Sequence, residues 1–331
     1  VNRALTWLST IGYWLFLAAA PLTAATWTEN FSTNPLTHGW QIFGDTNLFR
    51  WDSTNQNLAV TWDSSRSNSF FARSFDTILA KPDDFTFAFD LQLTDLAVGV
   101  ATNKPNAMPV AVGLVNLVNA TNPAVWRGGG VNATHGARNV CEFAHFAAAG
   151  AIVDSFSPVF ICTNNSYFYD ANGLNQRLDP GAQFRVTMNF TAATHTLTTS
   201  VTRNGVAYGG VPDIILPTTA TRDFRLDHFA INNWTDTGTA DSLLAHGFVD
   251  NITVTTPPPA VQNFSVTKTN NSWQAQFISR TNFIYTLERT ADFAAWTSAS
   301  PSASGSGTNL FLTDTNAPSA KTFYRVRAER P

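Results

Sequence analysis

The chain holds four glutamates, Glu29, Glu142, Glu288 and Glu329, and none belongs to an E-x-D-x-E run. A retaining glycosidase needs two carboxylates about 5 Å apart, one as nucleophile and one as acid. Residues two apart on a strand share a face and would supply them. Asp83 and Asp84 are adjacent and point to opposite faces of a strand, and Asp90 is too far along to join either. Elimination chemistry asks for a His or Tyr base with an Arg or amide to neutralise a uronate carboxylate. His135, Arg138, Glu142 and His145 provide those types, with Tyr167 and Tyr169 not far along the chain. No recognisable strand motif accompanies them, and a lone loop histidine is ordinarily only solvated. There is no Ser-His-Asp order, phosphate loop or H-E-x-x-H. The sequence therefore leans away from catalysis, with an atypical lyase or hydrolase site as a remaining alternative.

Binding chemistry is better represented. A sugar ring stacks its apolar face on an aromatic side chain while Asn, Asp and Arg bond its hydroxyls. Trp126 and Arg127 precede Gly128, Gly129 and Gly130, and Tyr167, Tyr169 and Trp234 sit beside polar loops. These five are the candidate ligand-binding residues. Burial is the competing reading for Trp126, because tryptophan is mostly buried on average. Trp40, Trp51, Trp62, Trp273 and Trp296 are assigned to cores.

Those residues must be positioned by a chain of 331 residues that is 44% hydrophobic and only 13% charged, enough for two ordinary cores. Asn, Thr, Ser and aromatics are abundant, as twisted, half-buried strands with polar turns require. A net charge of −3 and four lysines exclude a polyanion-binding surface, so no nucleic acid is expected. Residues 1–25 read as a signal peptide: Arg3, an apolar run from Ile11 to Ala20, then small residues ending at Ala25. An uncleaved anchor is the alternative, but the run falls short of the ~20 apolar residues of a spanning helix. The expected product is exported, secreted or at the cell surface, with no stable membrane insertion after cleavage. In that compartment Cys141 and Cys162 read first as one disulfide, stabilising the fold by about 3 kcal/mol on the chain-entropy argument. A metal site of His135, Cys141 and His145 is the sharper, less supported alternative.

Period-two alternation dominates from Thr26 to Thr255. Phe85, Phe87, Phe89, Leu91 and Leu93 alternate with polar or small residues, as do Phe184, Val186, Met188 and Phe190. The run from Met108 to Leu117 is continuously apolar, a strand buried on both faces or a short helix. The strand of residues 184–190 and that of residues 195–202 should be neighbours, and Asn204-Gly205 signals a tight hairpin turn. Phe224 to Thr255, with Phe248, Asp250, Ile252 and Val254 alternating, reads as the closing edge of a sandwich. About a dozen short strands and no helical period predict an all-β jelly roll.

The opening pattern E-N-F-S-T-N-P-L-T-H-G-W at Glu29–Trp40 and the closing G-F-V-D-N-I-T-V at Gly247–Val254 resemble the two ends of the concanavalin A-like lectin/glucanase superfamily in exported bacterial proteins. The resemblance implies a concanavalin A-like jelly-roll sandwich over residues 26–255. It also implies a structural calcium ion held by Glu29 and Asp250 with a carbonyl near Gly44, water completing the six to eight oxygens. The competing reading has Asp250 capping a turn or pairing with an Arg. A Pro-rich linker, residues 256–260, leads to a small β-module at 261–331 with five or six expected strands. Its FIYTLERTADFAAWTS and FYRVRA stretches resemble fibronectin type III-like modules, implying a spacer or attachment unit. The expected function is non-catalytic carbohydrate binding, with a polysaccharide or other glycan as partner. The alternative is a structural or adhesive protein that self-associates or attaches to the cell surface through the C-terminal module.

Overall fold

The computed structural model describes residues 24–100, 109–125, 127, 138–148, 153–164, 166–169, 176–219, 223–235, 242–269, 271–318 and 321–330. The chain forms two compact units that part between Ala260 and Val261.

In chain order the strands of the first unit are β1 (Ala25–Glu29), β2 (Trp40–Phe43), β3 (Phe49–Asp52), β4 (Asn57–Asp63), β5 (Ser69–Leu79), β6 (Phe85–Val98), β7 (Val110–Val115) and β8 (Val140–Phe146). They continue as β9 (Ser155–Ile161), β10 (Tyr167–Tyr169), β11 (Gln183–Thr191), β12 (Thr196–Arg203), β13 (Val206–Ala207), β14 (Ile214–Ile215), β15 (Leu226–Asn233) and β16 (Leu243–Thr256). They build two antiparallel sheets. The nine-stranded sheet runs β13-β12-β11-β6-β16-β4-β3, with β1 also on β16 and β14 also on β12. The seven-stranded sheet runs β10-β9-β8-β7-β15-β5-β2.

Alternation decides which side chains lie between the sheets. Phe85, Phe87, Phe89, Leu91 and Leu93 of β6 and Phe184, Val186, Met188 and Phe190 of β11 are all buried in one core with Phe143 and Phe229 of the opposite sheet. Phe229 meets Phe87 edge-on at 6.0 Å, and Phe143 meets Phe89 at 6.2 Å, the offset geometry that ring quadrupoles favour. Asn204 and Gly205 both take positive φ, 50° and 81°, and join β12 to β13 with Arg203 opposite Val206. That is the primed-turn geometry expected of Asn-Gly.

The stretch read as the closing edge is central instead. β15 lies between β7 and β5, and β16 between β6 and β4, each in a different sheet. The polar loop between them carries the chain from one sheet to the other, so their shared alternation does not mean shared neighbours.

The seven-stranded sheet is apolar on both faces. Val110–Val115 is buried at every position, and so is Ser155–Ile161. Phe70, Ala111, Val115, Val140, Ala144, Ile161 and Trp234 form a second cluster on the outer face. A short helix, α1 (Leu117–Ala120), is capped by the Asn116 side chain and adds Ala120 to this layer.

The second unit, Val261–Glu329, carries β17 (Val261–Thr269), β18 (Ser272–Ser279), β19 (Ile284–Thr290), β20 (Thr297–Ser298), β21 (Ala303–Ser304), β22 (Asn309–Asp314) and β23 (Phe323–Glu329). One sheet is β17-β18-β22, and the other centres on β19, paired with β20, β21 and β23. The seven strands exceed the expected five or six because two are only two residues long. Ala275, Phe277, Phe283, Tyr285, Leu287 and Leu312 are its buried apolar residues. Trp273 is half-buried and stacks on Tyr324 at 4.1 Å, and Trp296 is half-buried with Arg325 over its ring at 4.2 Å.

Candidate functional site

Glu142 sits in the middle of β8, on the outer face of the seven-stranded sheet, and is fully buried. Its position opposite Gly113 on β7 explains how the carboxylate fits. A Cβ at residue 113 would come within 2.4 Å of the Glu142 Cα and 2.3 Å of the Cys141 carbonyl oxygen. Three donors converge on this carboxylate. Arg127 Nε donates to Oε1 at 2.6 Å, while Asn232 Nδ2 and Trp234 Nε1 donate to Oε2 at 2.7 and 3.0 Å. Arg127, Asn232 and Trp234 are themselves buried. A buried carboxylate is tolerable only with this density of partners.

Beside this network lies a cleft of ≈ 600 Å³. The half-buried Phe43 ring and buried Phe70 give it apolar surface, and Ser67, Asn68, Thr121, Asn122 and Thr235 line it with polar groups. Phe70 packs edge-on against Trp234 at 5.1 Å, so the network and the cleft share a wall. Asn68 clamps the rim: its Nδ2 donates to the Val125 carbonyl, and its Oδ1 accepts from Thr235 N, each at 2.8 Å. Apolar surface with a few placed amides and hydroxyls is the usual make-up of a small-ligand pocket.

The candidate ligand residues divide accordingly. Arg127 and Trp234, 107 positions apart in sequence, meet on Glu142, but both are buried and neither is an exposed stacking platform. Neither lines the cleft; Val125, two positions before Arg127, and Thr235, next to Trp234, do. Trp126 lies outside the described residues. Tyr167 and Tyr169 are on β10, at the edge of the same sheet, opposite Ile161 and Val159. Sequence reasoning missed Asn232, Asn68, Phe43, Phe70 and Gly113. The available signal was the glycine inside a strand, which marks a close approach.

The elimination set is not assembled. Glu142 and His145 are three apart on one strand and so face opposite ways. His145 is buried with its ring edge-on to Phe156 of the core, 3.4 Å from Asp154. Burial pulls its pKa below the ordinary histidine value, against the opposing pull of Asp154. Arg138 is exposed, and His135 lies outside the described residues, as does any metal site drawing on it.

Two further expectations find no support in the structure. No bond joins Cys141 and Cys162. Cys141 faces Phe160, and Cys162 lies two residues beyond, making the cysteines diagonal neighbours on the core side. Both are buried cysteines, Cys162 one residue past the end of β9. Burial instead pushes the Cys141 thiol well up. The calcium expected at Glu29 and Asp250 is not confirmed by the structure, in which the Glu29 carboxylate already has protein donors. Glu29 Oε1 accepts from Phe31 N and Oε2 from Trp40 Nε1, both at 2.8 Å, with Arg73 3.8 Å away. Asp250 lies opposite Asp90, and burial first, then Asp90 and Glu29, raise its pKa. Gly44 lines the cleft on the other sheet. Among the described residues no group of three or more His, Cys, Asp or Glu is placed to hold a metal ion.

No family model and no curated protein matches the chain. Among solved structures, it is similar to peanut lectin with a nonapeptide (14% identity, TM-score 0.43, covering 70% of this chain and 98% of that one). It is also similar to winged bean acidic lectin complexed with methyl-α-D-galactose (13% identity, TM-score 0.45, 71% and 99%), and to an alginate lyase (11%, TM-score 0.39, 69% and 96%). From its own strand pairing, the first unit is an all-β, two-sheet jelly-roll sandwich.

Proposed function

We propose that the chain is an exported protein that binds carbohydrate without catalysis, through the cleft on the outer face of the seven-stranded sheet. The observation that carries this reading is the ≈ 600 Å³ cleft itself, which sets an aromatic ring among amides and hydroxyls. A sugar presents the same mixture, an apolar face rimmed by hydroxyls. The buried Glu142 network holds the wall of the cleft rigid, which lowers the ordering cost of binding. The lectin-like architecture is compatible with this role.

The test is a glycan array probed with the mature protein from Thr26, with reducing ends and unsaturated products assayed in the same wells. Retention without product, weakened about tenfold or more by Phe43→Ala, a loss of about 1.4 kcal/mol, is expected. Product formation would replace the reading with a lyase or hydrolase.

A second reading, adhesion through the C-terminal unit, is favoured by one observation. Its edge strand β17 is exposed from Asn263 to Thr269, with Phe264 and Val266 each about half exposed. Exposed apolar edge strands pair readily with other chains. Self-association in sedimentation, abolished by Val266→Lys and without any glycan retention, would favour this second reading.

A further inference from the structure

The nine-stranded sheet opens a separate cleft of ≈ 590 Å³ on its outer face. Thr28 of β1, Asn251 and Thr253 of β16, Asp90 of β6, Arg185 of β11 and Thr202 of β12 line it. It is built around a bulge. The register of β16 against β6 slips between Asp250 and Thr253, and Asn251 adopts a φ of 47°. The bulge turns Asn251 over the sheet, where its Nδ2 donates to Asp90 Oδ2 at 2.8 Å and its carbonyl accepts from Arg185 Nη1 at 2.6 Å. Arg185 Nη1 also donates to Asp90 Oδ1 at 3.1 Å. Asp90 and Arg185 pair with each other, the Glu29 carboxylate in the lining is turned to Phe31 N and Trp40 Nε1, and the other polar side chains of the cleft are hydroxyls and the amides of Asn30, Gln183 and Asn251.

The face continues from the cleft in two regular rows. Thr28, Thr253, Ala88, Thr187 and Ser200 occupy successive register positions across β1, β16, β6, β11 and β12. The neighbouring row repeats the pattern with Thr26, Thr255, Thr86, Asn189 and Thr198. Strand geometry spaces these side chains about 4.8 Å apart along a row and separates the rows by roughly 6.7 Å. Thr26 and Thr255 share a hydrogen bond at 2.9 Å, and Thr86 Oγ1 donates to Asn189 Oδ1 at 2.6 Å. Neither row contains an ionisable side chain.

Each hydroxyl can donate and accept, and threonine is stiff at χ1, so the array loses little freedom when it is contacted. Such a surface complements a partner that is itself uncharged and carries hydroxyls at repeating intervals. We propose that this cleft and its two rows form a second binding surface, for an uncharged polysaccharide chain lying across the strands. It shares no residue with the cleft on the seven-stranded sheet and stands or falls separately from it.

The experiment is depletion of the full chain by neutral polysaccharides (cellulose, chitin, starch and a β-glucan) and by alginate and pectate as polyanions, at about 50 and 500 mM salt, a range over which exposed charge attraction is largely screened. Three variants are compared: Thr28→Lys and Ser200→Lys, both at exposed strand positions, and Phe43→Ala in the other cleft. Thermal unfolding checks that each variant is folded. The expected result is salt-insensitive retention on a neutral polysaccharide, reduced tenfold or more by each lysine whether or not Phe43→Ala also weakens it. The proposal is overturned if no neutral polysaccharide retains the protein, if retention is confined to the polyanions, or if the lysine variants bind like the parent. Loss with Phe43→Ala alone would assign all glycan binding to the first cleft, overturning this proposal while leaving that one intact.

Discussion

Replacing Glu142 by Gln removes one negative charge from a site where Arg127 and Glu142 are 1% and 0% exposed. The side chain keeps its shape, so no cavity opens. What changes is that the Arg127 guanidinium, 2.6 Å from Oε1, loses its counter-charge in a place water does not reach. Removing one partner of a buried ion pair costs about 3–5 kcal/mol, chiefly because the other charge is left uncompensated. For a domain of this size about 1 kcal/mol shifts Tm by roughly 2–4 °C. A fall of roughly 6–20 °C is therefore expected, followed by tryptophan fluorescence in thermal and urea unfolding. The control is Arg127→Met placed in the Glu142→Gln background. It removes the guanidinium charge, while the Gln carbonyl still accepts from Asn232 or Trp234. The double variant should be more stable than Glu142→Gln alone. If the single change costs less than about 1 kcal/mol, or if Arg127→Met deepens the loss, the buried pair does not hold this face together.

Other expectations follow from the same structure. Without reductant, two thiols per chain should react with a thiol reagent in denaturant and none in the native state, because Cys141 and Cys162 are buried and unjoined; no reactive thiol in denaturant would restore the disulfide. His145 has its pKa lowered from 6.5 by burial, so its contribution to stability is fully present above pH 6.5 and is lost as pH falls through the depressed folded value. A His145→Leu variant should flatten the acid limb of a stability–pH curve, and an unchanged limb would refute the assignment. Asp250 has its pKa raised from 3.8, first by burial and then by Asp90 and Glu29. Its contribution is present below pH 3.8 and lost as pH rises through the raised folded value. Asp250→Asn should therefore stabilise the protein at neutral pH and leave it unchanged in acid; destabilisation at neutral pH would count against that reading.

The sequence by itself determined the local geometry. Alternation along Phe85–Leu93 and Phe184–Phe190 assigned faces correctly, because a strand repeats every two residues whatever it pairs with. The Asn204-Gly205 turn was legible for the same kind of reason, since positive φ at both positions selects those residues. The continuous apolar run from Met108 to Leu117 left a strand buried on both faces or a short helix open, and Val110–Val115 is a strand buried at every position. Even the failure of the elimination set was readable, as Glu142 and His145 are three positions apart on one strand and so face opposite ways.

Only the tertiary structure decided which strands become neighbours. β15 and β16 share a pattern yet lie in different sheets, and the interleaved order brings residues 127, 142, 232 and 234 onto one carboxylate. It turned Trp234 from an exposed platform into a buried donor, set Cys141 and Cys162 on a diagonal, and closed the Glu29 carboxylate with Phe31 and Trp40. The threonine rows are its plainest product, because each row draws one residue from each of five strands. Periodicity is a property of a few consecutive residues, whereas register and strand order arise from long-range pairing that buries two sheets against each other. A side chain's face is therefore written locally, and its partner is not.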